Sequence, residues 1–268
     1  MNLKLCFSTV GCPDWSFDEI FGTARDLNLA GVEIRGVGDE IYAPSIPAFL
    51  DENIDKTLAK LKKYGVCIPV LASNSALAAA NARRDFEDAK KYIDLAAQIG
   101  APYIRVMSTS NPYPEEGDLT LCRELYAALC EYGASKGVTP LIETNGLLAD
   151  SACMRGFVDG IQNSGVLWDI HHTWRFFNET PEQTAAELAG LVRHVHIKDS
   201  VMKNGEVSYR MLGYGDVPLL DCLRALIGGG YDGFVSLEWV KRWNPGLEEP
   251  GVVFSHFAGY MGYMNDLL

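Results

Sequence analysis

The chain has 268 residues, of which 48% are hydrophobic and 22% are charged. This composition is typical of a globular protein, and the length is close to the roughly 250 residues of a (β/α)8 barrel. The formal net charge is −12, which disfavours binding to nucleic acid because an acidic surface repels phosphate. No apolar stretch approaches the roughly 20 residues of a membrane-spanning helix, so we expect no membrane association.

The seven cysteines are scattered along the chain and include no CxxC pair. An odd number of isolated cysteines is typical of reduced thiols in the cytosol rather than of a disulfide framework. The N-terminal segment MNLKLCFSTVGC is too short and too soon interrupted to be a signal peptide. We therefore expect a cytoplasmic protein.

Eight short, apolar and β-rich segments recur along the chain, and amphipathic helix patterns separate them. The segments are LKLCFSTV (3–10), GVEIRG (31–36), VCIPVLAS (66–73), YIRVMS (103–108), VTPLIET (138–144), VLWDI (166–170), VRHVHIKD (192–199) and FVSLE (234–238). Apolar residues at helical spacing predict helices over 85–99 and 119–135. The helix starts are also marked, because Ser16 with Glu19 and Thr180 with Gln183 have the spacing of capping boxes.

Eight strands alternating with helices predict parallel strand pairing, since each helix returns the chain to the same edge of the sheet. We therefore predict an α/β protein with a single (β/α)8 TIM barrel domain over residues 1–268. A doubly wound open sheet is the alternative. Its dinucleotide-binding version is disfavoured because no G-x-G-x-x-G motif follows the first strand.

Four polar residues stand at the carboxyl ends of the last four predicted strands: Glu143, Asp169, His196 and Glu238. In a closed barrel these ends converge at the active-site mouth. Three carboxylates in one pocket repel each other, and a divalent cation relieves that repulsion. Three carboxylates and an imidazole suit Mn²⁺, Mg²⁺ or Co²⁺, with Zn²⁺ as a further alternative. Taken singly, Glu143 or Glu238 is better explained as a solvated loop residue or a salt-bridge partner. His196 alone would also suit a core histidine, and Asp169 alone a cap for the following segment.

Other polar residues near the strand ends are weaker candidates. His172 would contact a substrate hydroxyl or support a ligand, and Lys198 would reach substrate or remain a solvated rim lysine. His194, two residues before His196 on the same face, is expected to lie deeper and to be structural.

Asn74 and Asn145 suit sugar hydroxyls but also suit turns, and Trp15 is one of several tryptophans that would form an aromatic wall or pack in the core. Glu33 is expected to pair with Arg105 inside the barrel, without a catalytic role.

The ordered motifs resemble the xylose isomerase-like TIM barrel superfamily of sugar isomerases, sugar epimerases and inosose-processing enzymes. The matching segments are CPDW (12–15), GVEI (31–34), PLIE (140–143), WDIHH (168–172), HVHIKDS (194–200), LGYGDVPL (212–219) and GYDGFVSLEW (230–239). Each motif alone is weak, but their order along nearly the whole chain is specific for the superfamily.

The resemblance implies that Glu143, Asp169, His196 and Glu238 are metal ligands. It further implies that Glu143 and Glu238 form an acid/base pair and that His172 contacts substrate. The epimerases usually place an arginine in the loop after strand seven, and Arg210 lies in that loop. The expected cofactor is one divalent ion, Mn²⁺ before Mg²⁺, Co²⁺ or Zn²⁺.

The resulting hypothesis is an isomerase or epimerase that acts on a sugar, sugar phosphate or cyclitol through an enediolate. A dehydratase of inosose or dehydroshikimate type would use the same site. Endonuclease IV shares the barrel, but it needs three zinc ions and more histidines than the five in this chain. A non-catalytic barrel that binds a sugar or a protein is the remaining alternative. Aromatic residues in the predicted mouth loops are compatible with a homodimer.

Overall fold

The structure is a computed structural model that describes residues 3–268. Its strands are β1 (Lys4–Ser8), β2 (Gly31–Glu33), β3 (Val70–Ala76), β4 (Tyr103–Met107), β5 (Thr139–Glu143), β6 (Gly165–Asp169), β7 (Val192–Ile197), β8 (Asp199–Lys203), β9 (Glu206–Arg210) and β10 (Phe234–Leu237). Its helices are α1 (Phe17–Asp26), α2 (Asp51–Tyr64), α3 (Ala82–Ile99), α4 (Leu119–Ala134), α5 (Ser151–Val158), α6 (Ile170–Phe177), α7 (Pro181–Glu187), α8 (Leu219–Gly228) and α9 (Pro250–Leu267).

Eight of the strands form a parallel sheet in the order β2-β1-β10-β7-β6-β5-β4-β3. The two ends of this sheet meet, because isolated parallel bridges join Gly31 to Cys67 and Ile34 to Leu71. The Val32 amide donates to the Cys67 carbonyl at 2.9 Å across the same junction. The sheet is therefore closed, and the predicted (β/α)8 barrel is confirmed.

The local signals in the sequence explain where helices begin and end. Ser16 accepts a hydrogen bond from the Glu19 amide while the Glu19 carboxylate accepts from the Ser16 amide, so the predicted capping box is present. Thr180 caps α7 in the same position, with Pro181 as its first residue. Gly65 and Gly100 end α2 and α3 in the left-handed conformation that glycine adopts at low cost.

Two strand predictions differ from the structure. The third strand begins at Val70 rather than at residue 66, because Pro69 has no amide hydrogen to donate to a neighbouring strand. After β7, the chain forms an antiparallel hairpin of β8 and β9 that was not predicted. Its turn is Asn204-Gly205, and both residues have positive φ, 54° and 85°, as a type I′ turn requires.

The apolar core lies between the strands and the surrounding helices. Phe7 of β1 stacks on Phe254 of α9 with ring centroids 4.0 Å apart. The interior of the barrel is polar instead, since Glu33, Arg105, His194 and His196 are all buried there. All seven cysteines are free, and Cys67 is exposed. Within residues 3–268, no helix has both the length and the apolar composition that crossing a bilayer requires.

Candidate metal centre and substrate pocket

Four side chains from adjacent strands meet at the carboxyl end of the barrel. Glu143 ends β5, Asp169 ends β6, His196 lies in β7, and Glu238 follows β10. One ligand atom from each lies within 4.8 Å of the others. His196 Nδ1 is 3.1 Å from Glu143 Oε1, 3.5 Å from Glu238 Oε1 and 3.8 Å from Asp169 Oδ2. We call these four residues the candidate metal centre.

The electrostatics of the candidate metal centre fit a bound cation. Burial acts to lower the pKa of His196, but the charges of Glu33 and Glu238 and hydrogen bonds to Asp169 and Glu143 raise it well above its usual value. A buried imidazole becomes cationic only where the surrounding field strongly favours positive charge. The donor set of three carboxylates and one imidazole therefore suits a hard or borderline divalent ion.

Glu33 of β2 orients His196 from inside the barrel. Its Oε2 lies 2.8 Å from His196 Nε2 and 2.9 Å from His194 Nε2. A carboxylate at Nε2 holds the proton on that nitrogen, so a metal ion would bind at Nδ1 in place of a proton. His194 lies one layer deeper and is fully buried, as predicted.

The predicted pairing of Glu33 with Arg105 is wrong. Arg105 Nη1 donates instead to Glu143 Oε2 at 2.7 Å, because Arg105 and Glu143 are on the adjacent strands β4 and β5. Burial acts to raise the pKa of Glu143, but Arg105 and then His196 outweigh it and lower the pKa to about 2. Glu143 is therefore ionised at neutral pH.

Lys198 follows β7 and bridges two residues of the candidate metal centre. Its ammonium lies 2.5 Å from Asp169 Oδ2 and also donates to Glu238 Oε2. Burial acts to lower the pKa of Lys198, but these carboxylates raise it well above its usual value. Lys198 is only 2% exposed, so it is a buried ion-pair partner rather than a solvated rim lysine.

His172 lies in the first turn of α6, where Asp169 caps the helix by accepting from the His172 amide. Its Nδ1 is 2.9 Å from the Thr144 carbonyl oxygen. Since a carbonyl only accepts, Nδ1 carries the proton in the neutral ring. The neutral ring therefore has an unprotonated Nε2, and burial favours this neutral form by lowering the pKa of His172.

A pocket of about 380 Å³ opens above the candidate metal centre. Six of the sequence candidates line it, whereas Asp169 and His196 are fully buried. The six are Glu143, Glu238, His172, Lys198, Asn74 and Asn145.

Besides Asp169 and His196, two further sequence candidates do not line this pocket. Arg210 ends β9, and its guanidinium donates to Ser208 Oγ and to the Tyr209 carbonyl within its own hairpin. Trp15 packs edge-on against Phe254, with ring centroids 5.6 Å apart. The hairpin instead contributes Tyr209 to the pocket.

Other pocket residues were weaker mouth candidates in the sequence, as Arg35 and Trp243 were, or were not candidates, as Tyr209 was. Arg35, Arg105 and Trp243 line the pocket together with Tyr209. Arg35 had a visible signal, because it lies two residues after Glu33 and so shares its inward face. Tyr209 would have required recognising the hairpin from its Asn-Gly turn.

Asp199 anchors the segment that follows the hairpin. Its carboxylate accepts hydrogen bonds from the amides of Ser200, Gly213, Gly215 and Val217. A Cβ at Gly215 would lie 1.9 Å from Asp199 Oδ1. The Lys-Asp and Gly-x-Gly-Asp motifs therefore form one structural unit, which holds the base of the hairpin bearing Tyr209.

The sequence matches a family model described as the xylose isomerase-like TIM barrel over residues 21–253. The chain belongs to this family. No curated protein is significantly similar to it in sequence.

Several solved structures share the fold of this chain at low sequence identity. An L-ribulose 3-epimerase is 16% identical, with a TM-score of 0.79, over 99% of this chain and 95% of that protein. The probable 3-DHS dehydratase AsbF of Bacillus anthracis is 17% identical, with a TM-score of 0.77, over 97% and 99%. A Mycobacterium smegmatis protein in complex with magnesium is 16% identical, with a TM-score of 0.73, over 98% and 96%.

Proposed function

We propose that this protein is a divalent-metal-dependent isomerase or epimerase of a sugar, sugar phosphate or cyclitol, which transfers a proton beside a carbonyl group. The observation that carries the proposal is the candidate metal centre beneath a pocket of about 380 Å³, with two of its carboxylates, Glu143 and Glu238, on the pocket wall. The likeness to an L-ribulose 3-epimerase supports the same class of reaction.

Glu143, Asp169, His196 and Glu238 would hold the cation, with His196 binding through Nδ1 because Nε2 faces Glu33. The oxygen-rich donor set favours Mn²⁺, with Mg²⁺, Co²⁺ and Zn²⁺ as alternatives. The magnesium complex of a structurally similar protein supports a divalent ion in this fold. Such an ion supplies a Lewis acid that stabilises the negative charge of an enediolate.

Glu143 and Glu238 are the proposed acid/base pair. A general base must be ionised before it can accept the proton, and Arg105 keeps Glu143 in that form. Lys198 forms an ion pair with Glu238 and so fixes the position of this carboxylate at the pocket wall. One glutamate would remove the proton beside the carbonyl, and the other would return a proton to the neighbouring carbon or to the opposite face.

The remaining pocket residues would orient the substrate. His172 would accept a hydrogen bond from a hydroxyl at Nε2, since its Nδ1 proton is directed to Thr144. Asn145 has a buried Oδ1 without a partner among the described residues, which would accept from a second hydroxyl. Asn74 and Lys198 line the same pocket and would contact further oxygens.

Solvent-deuterium exchange tests the proposal. The metal-loaded protein should incorporate deuterium from D₂O into a ketose at the carbon beside the carbonyl, as detected by proton NMR. Glu143→Gln and Glu238→Gln should each abolish exchange. Glu131→Gln, which changes an exposed carboxylate on α4, should retain it. Undiminished exchange in both pocket variants would exclude the proposed acid/base pair.

A dehydratase is the second candidate, and the likeness to the probable 3-DHS dehydratase AsbF favours it. Removal of the same proton, followed by loss of a hydroxyl at the next carbon as water, gives a conjugated enone. The enone absorbs in the ultraviolet, whereas an isomerised or epimerised sugar does not. An increase in ultraviolet absorbance during turnover would therefore indicate dehydration rather than isomerisation.

A further inference from the structure

Arg35 is a buried cation without a carboxylate partner. It is 6% exposed and follows β2 at the pocket wall. Its Nη2 donates to Asn74 Oδ1, whereas its Nη1 is buried and has no hydrogen-bond partner among the described residues. Burial, followed by the charge of Arg105, lowers the pKa of Arg35 to about 10, so the side chain remains cationic at neutral pH.

The other two cations of the pocket are paired. Arg105 forms an ion pair with Glu143, and Lys198 forms ion pairs with Asp169 and Glu238. A neutral amide is a weak substitute for the carboxylate that a buried guanidinium normally requires. The unpaired donor of Arg35 therefore needs an acceptor that a ligand would supply.

An aromatic ring covers one face of the Arg35 guanidinium. The indole ring of Trp243 lies against the guanidinium, with the guanidinium carbon 5.7 Å from the ring centroid. An aromatic ring on the face of an arginine holds the plane in position, while the N–H groups at its edge remain free for bidentate contact with an oxyanion.

The position of Arg35 suits the far end of a substrate. In the strand order around the barrel, β2 is diametrically opposite β6, which carries Asp169. A sugar with its carbonyl at the candidate metal centre would therefore extend across the pocket toward Arg35. Arg35 and two residues of the candidate metal centre, Glu143 and Glu238, line the same cavity of about 380 Å³.

The charges of the site agree with an anionic substrate. Three cationic side chains and a divalent ion exceed the four carboxylates of Glu33, Glu143, Asp169 and Glu238 by one positive charge. A ligand with an anionic group would neutralise that excess, whereas a neutral sugar would leave it buried.

We infer that Arg35, held by Asn74 and Trp243, forms a subsite for a carboxylate or phosphate group of the substrate. The substrate is then a sugar acid or a sugar phosphate rather than a neutral sugar. This inference rests on the proposed function for the location of the reacting carbonyl, but the subsite itself is defined by binding and not by turnover.

Titration calorimetry with D-fructose, D-fructose 6-phosphate and 5-keto-D-gluconate tests the subsite in the metal-loaded and the metal-free protein. At least one anionic ligand should bind roughly tenfold to a hundredfold more tightly than fructose. The anionic group would form a charged hydrogen bond with Arg35 that neutral fructose cannot form. Preference for the phosphate or for the keto acid identifies the anionic group. Equal affinity for all three ligands would overturn the inference.

Variants of Arg35 make the test specific. Arg35→Gln should remove the preference for the anionic ligand while leaving the affinity for fructose unchanged, and Arg35→Lys should retain part of the preference and control for folding. Arg84→Gln, at an arginine that is 81% exposed, should behave as the unmodified protein. A preference that survives in Arg35→Gln would contradict the subsite.

Deuterium exchange in the same samples reports on the proposed function separately. Arg35-dependent binding without exchange into any ligand would support the subsite and reject the isomerase or epimerase. Exchange into neutral fructose at the same efficiency as into the anionic ligands would support the reaction and reject the subsite.

Discussion

His196 directs its two ring nitrogens to opposite tasks: Nε2 lies 2.8 Å from Glu33 Oε2, and Nδ1 faces the carboxylates of Glu143, Asp169 and Glu238. Glu33 is fully buried and comes from β2, on the other side of the barrel interior. The contact determines which nitrogen carries the proton, and so which nitrogen is available to a metal ion.

Glu33→Gln should therefore weaken metal binding without changing a ligand. The amide nitrogen of glutamine would donate to Nε2, which moves the imidazole proton to Nδ1 and blocks the metal-binding nitrogen. Removing a carboxylate that supports a ligating histidine typically weakens binding roughly 10- to 100-fold. Calorimetric titration with Mn²⁺ measures this change.

Glu87→Gln is the matched control, because Glu87 is 61% exposed and forms a surface ion pair with Lys90 on α3. It should leave the Mn²⁺ affinity unchanged. Equal affinities of the Glu33→Gln variant and the unmodified protein would show that Glu33 does not orient His196.

Lys198→Met should destabilise the metal-free protein far more than the metal-loaded protein. In the metal-free state, the substitution leaves Asp169 and Glu238 without their shared cation, and breaking a buried ion pair costs about 3–5 kcal/mol. A bound divalent ion compensates the same carboxylates, so the loss should fall below half of that value. Urea unfolding with and without Mn²⁺ measures both losses.

Lys60→Met provides the comparison for Lys198→Met. Lys60 pairs with Asp18 at the surface, where the two side chains are 48% and 59% exposed, and solvent screens such pairs. Its replacement should change stability little in either state. Losses of equal size for Lys198→Met with and without Mn²⁺ would argue against a cation between Asp169 and Glu238.

Gly215→Ala should loosen the hairpin of β8 and β9. The added methyl group would lie 1.9 Å from Asp199 Oδ1 and 2.5 Å from the Ser200 carbonyl oxygen, so the carboxylate must leave the four amides that it holds. Such overpacking costs about 1–3 kcal/mol. Hydrogen exchange should show faster exchange of the Gly213 and Val217 amides.

Gly22→Ala separates this effect from the general cost of replacing glycine. Gly22 lies inside α1, and a Cβ there meets no atom within 4 Å. The change should stabilise the protein by about 0.5–1 kcal/mol because alanine favours the helix. If Gly215→Ala were as well tolerated, Asp199 would not anchor the segment after the hairpin.

The convergence of Glu143, Asp169, His196 and Glu238 was predictable because position along a strand determines which barrel end a residue occupies. The partner of Glu33 was not predictable in the same way. The stagger of the strands determines which inward-facing side chains meet, and it brings Glu33 to His194 and His196 while Arg105 reaches Glu143. Neither apolar patterning nor helix signals specify that stagger.

The mouth of the barrel was less predictable than its strands. Arg210 and Tyr209 are neighbours in sequence, but alternation along β9 brings Tyr209 to the pocket and leaves Arg210 bonded within the hairpin. The Asn204-Gly205 turn was the available signal. Trp15 packs against Phe254, whereas Trp243 reaches the pocket, because loop conformation rather than residue type determines which aromatic side chain lines it.

Metal stoichiometry tests the central claim most directly. After chelation and titration with Mn²⁺ under calorimetric observation, the protein should bind one ion per chain, and Asp169→Asn should lose most of this binding while remaining folded. Absence of Mn²⁺ binding, or unchanged binding in the Asp169→Asn variant, would contradict a metal centre built from Glu143, Asp169, His196 and Glu238.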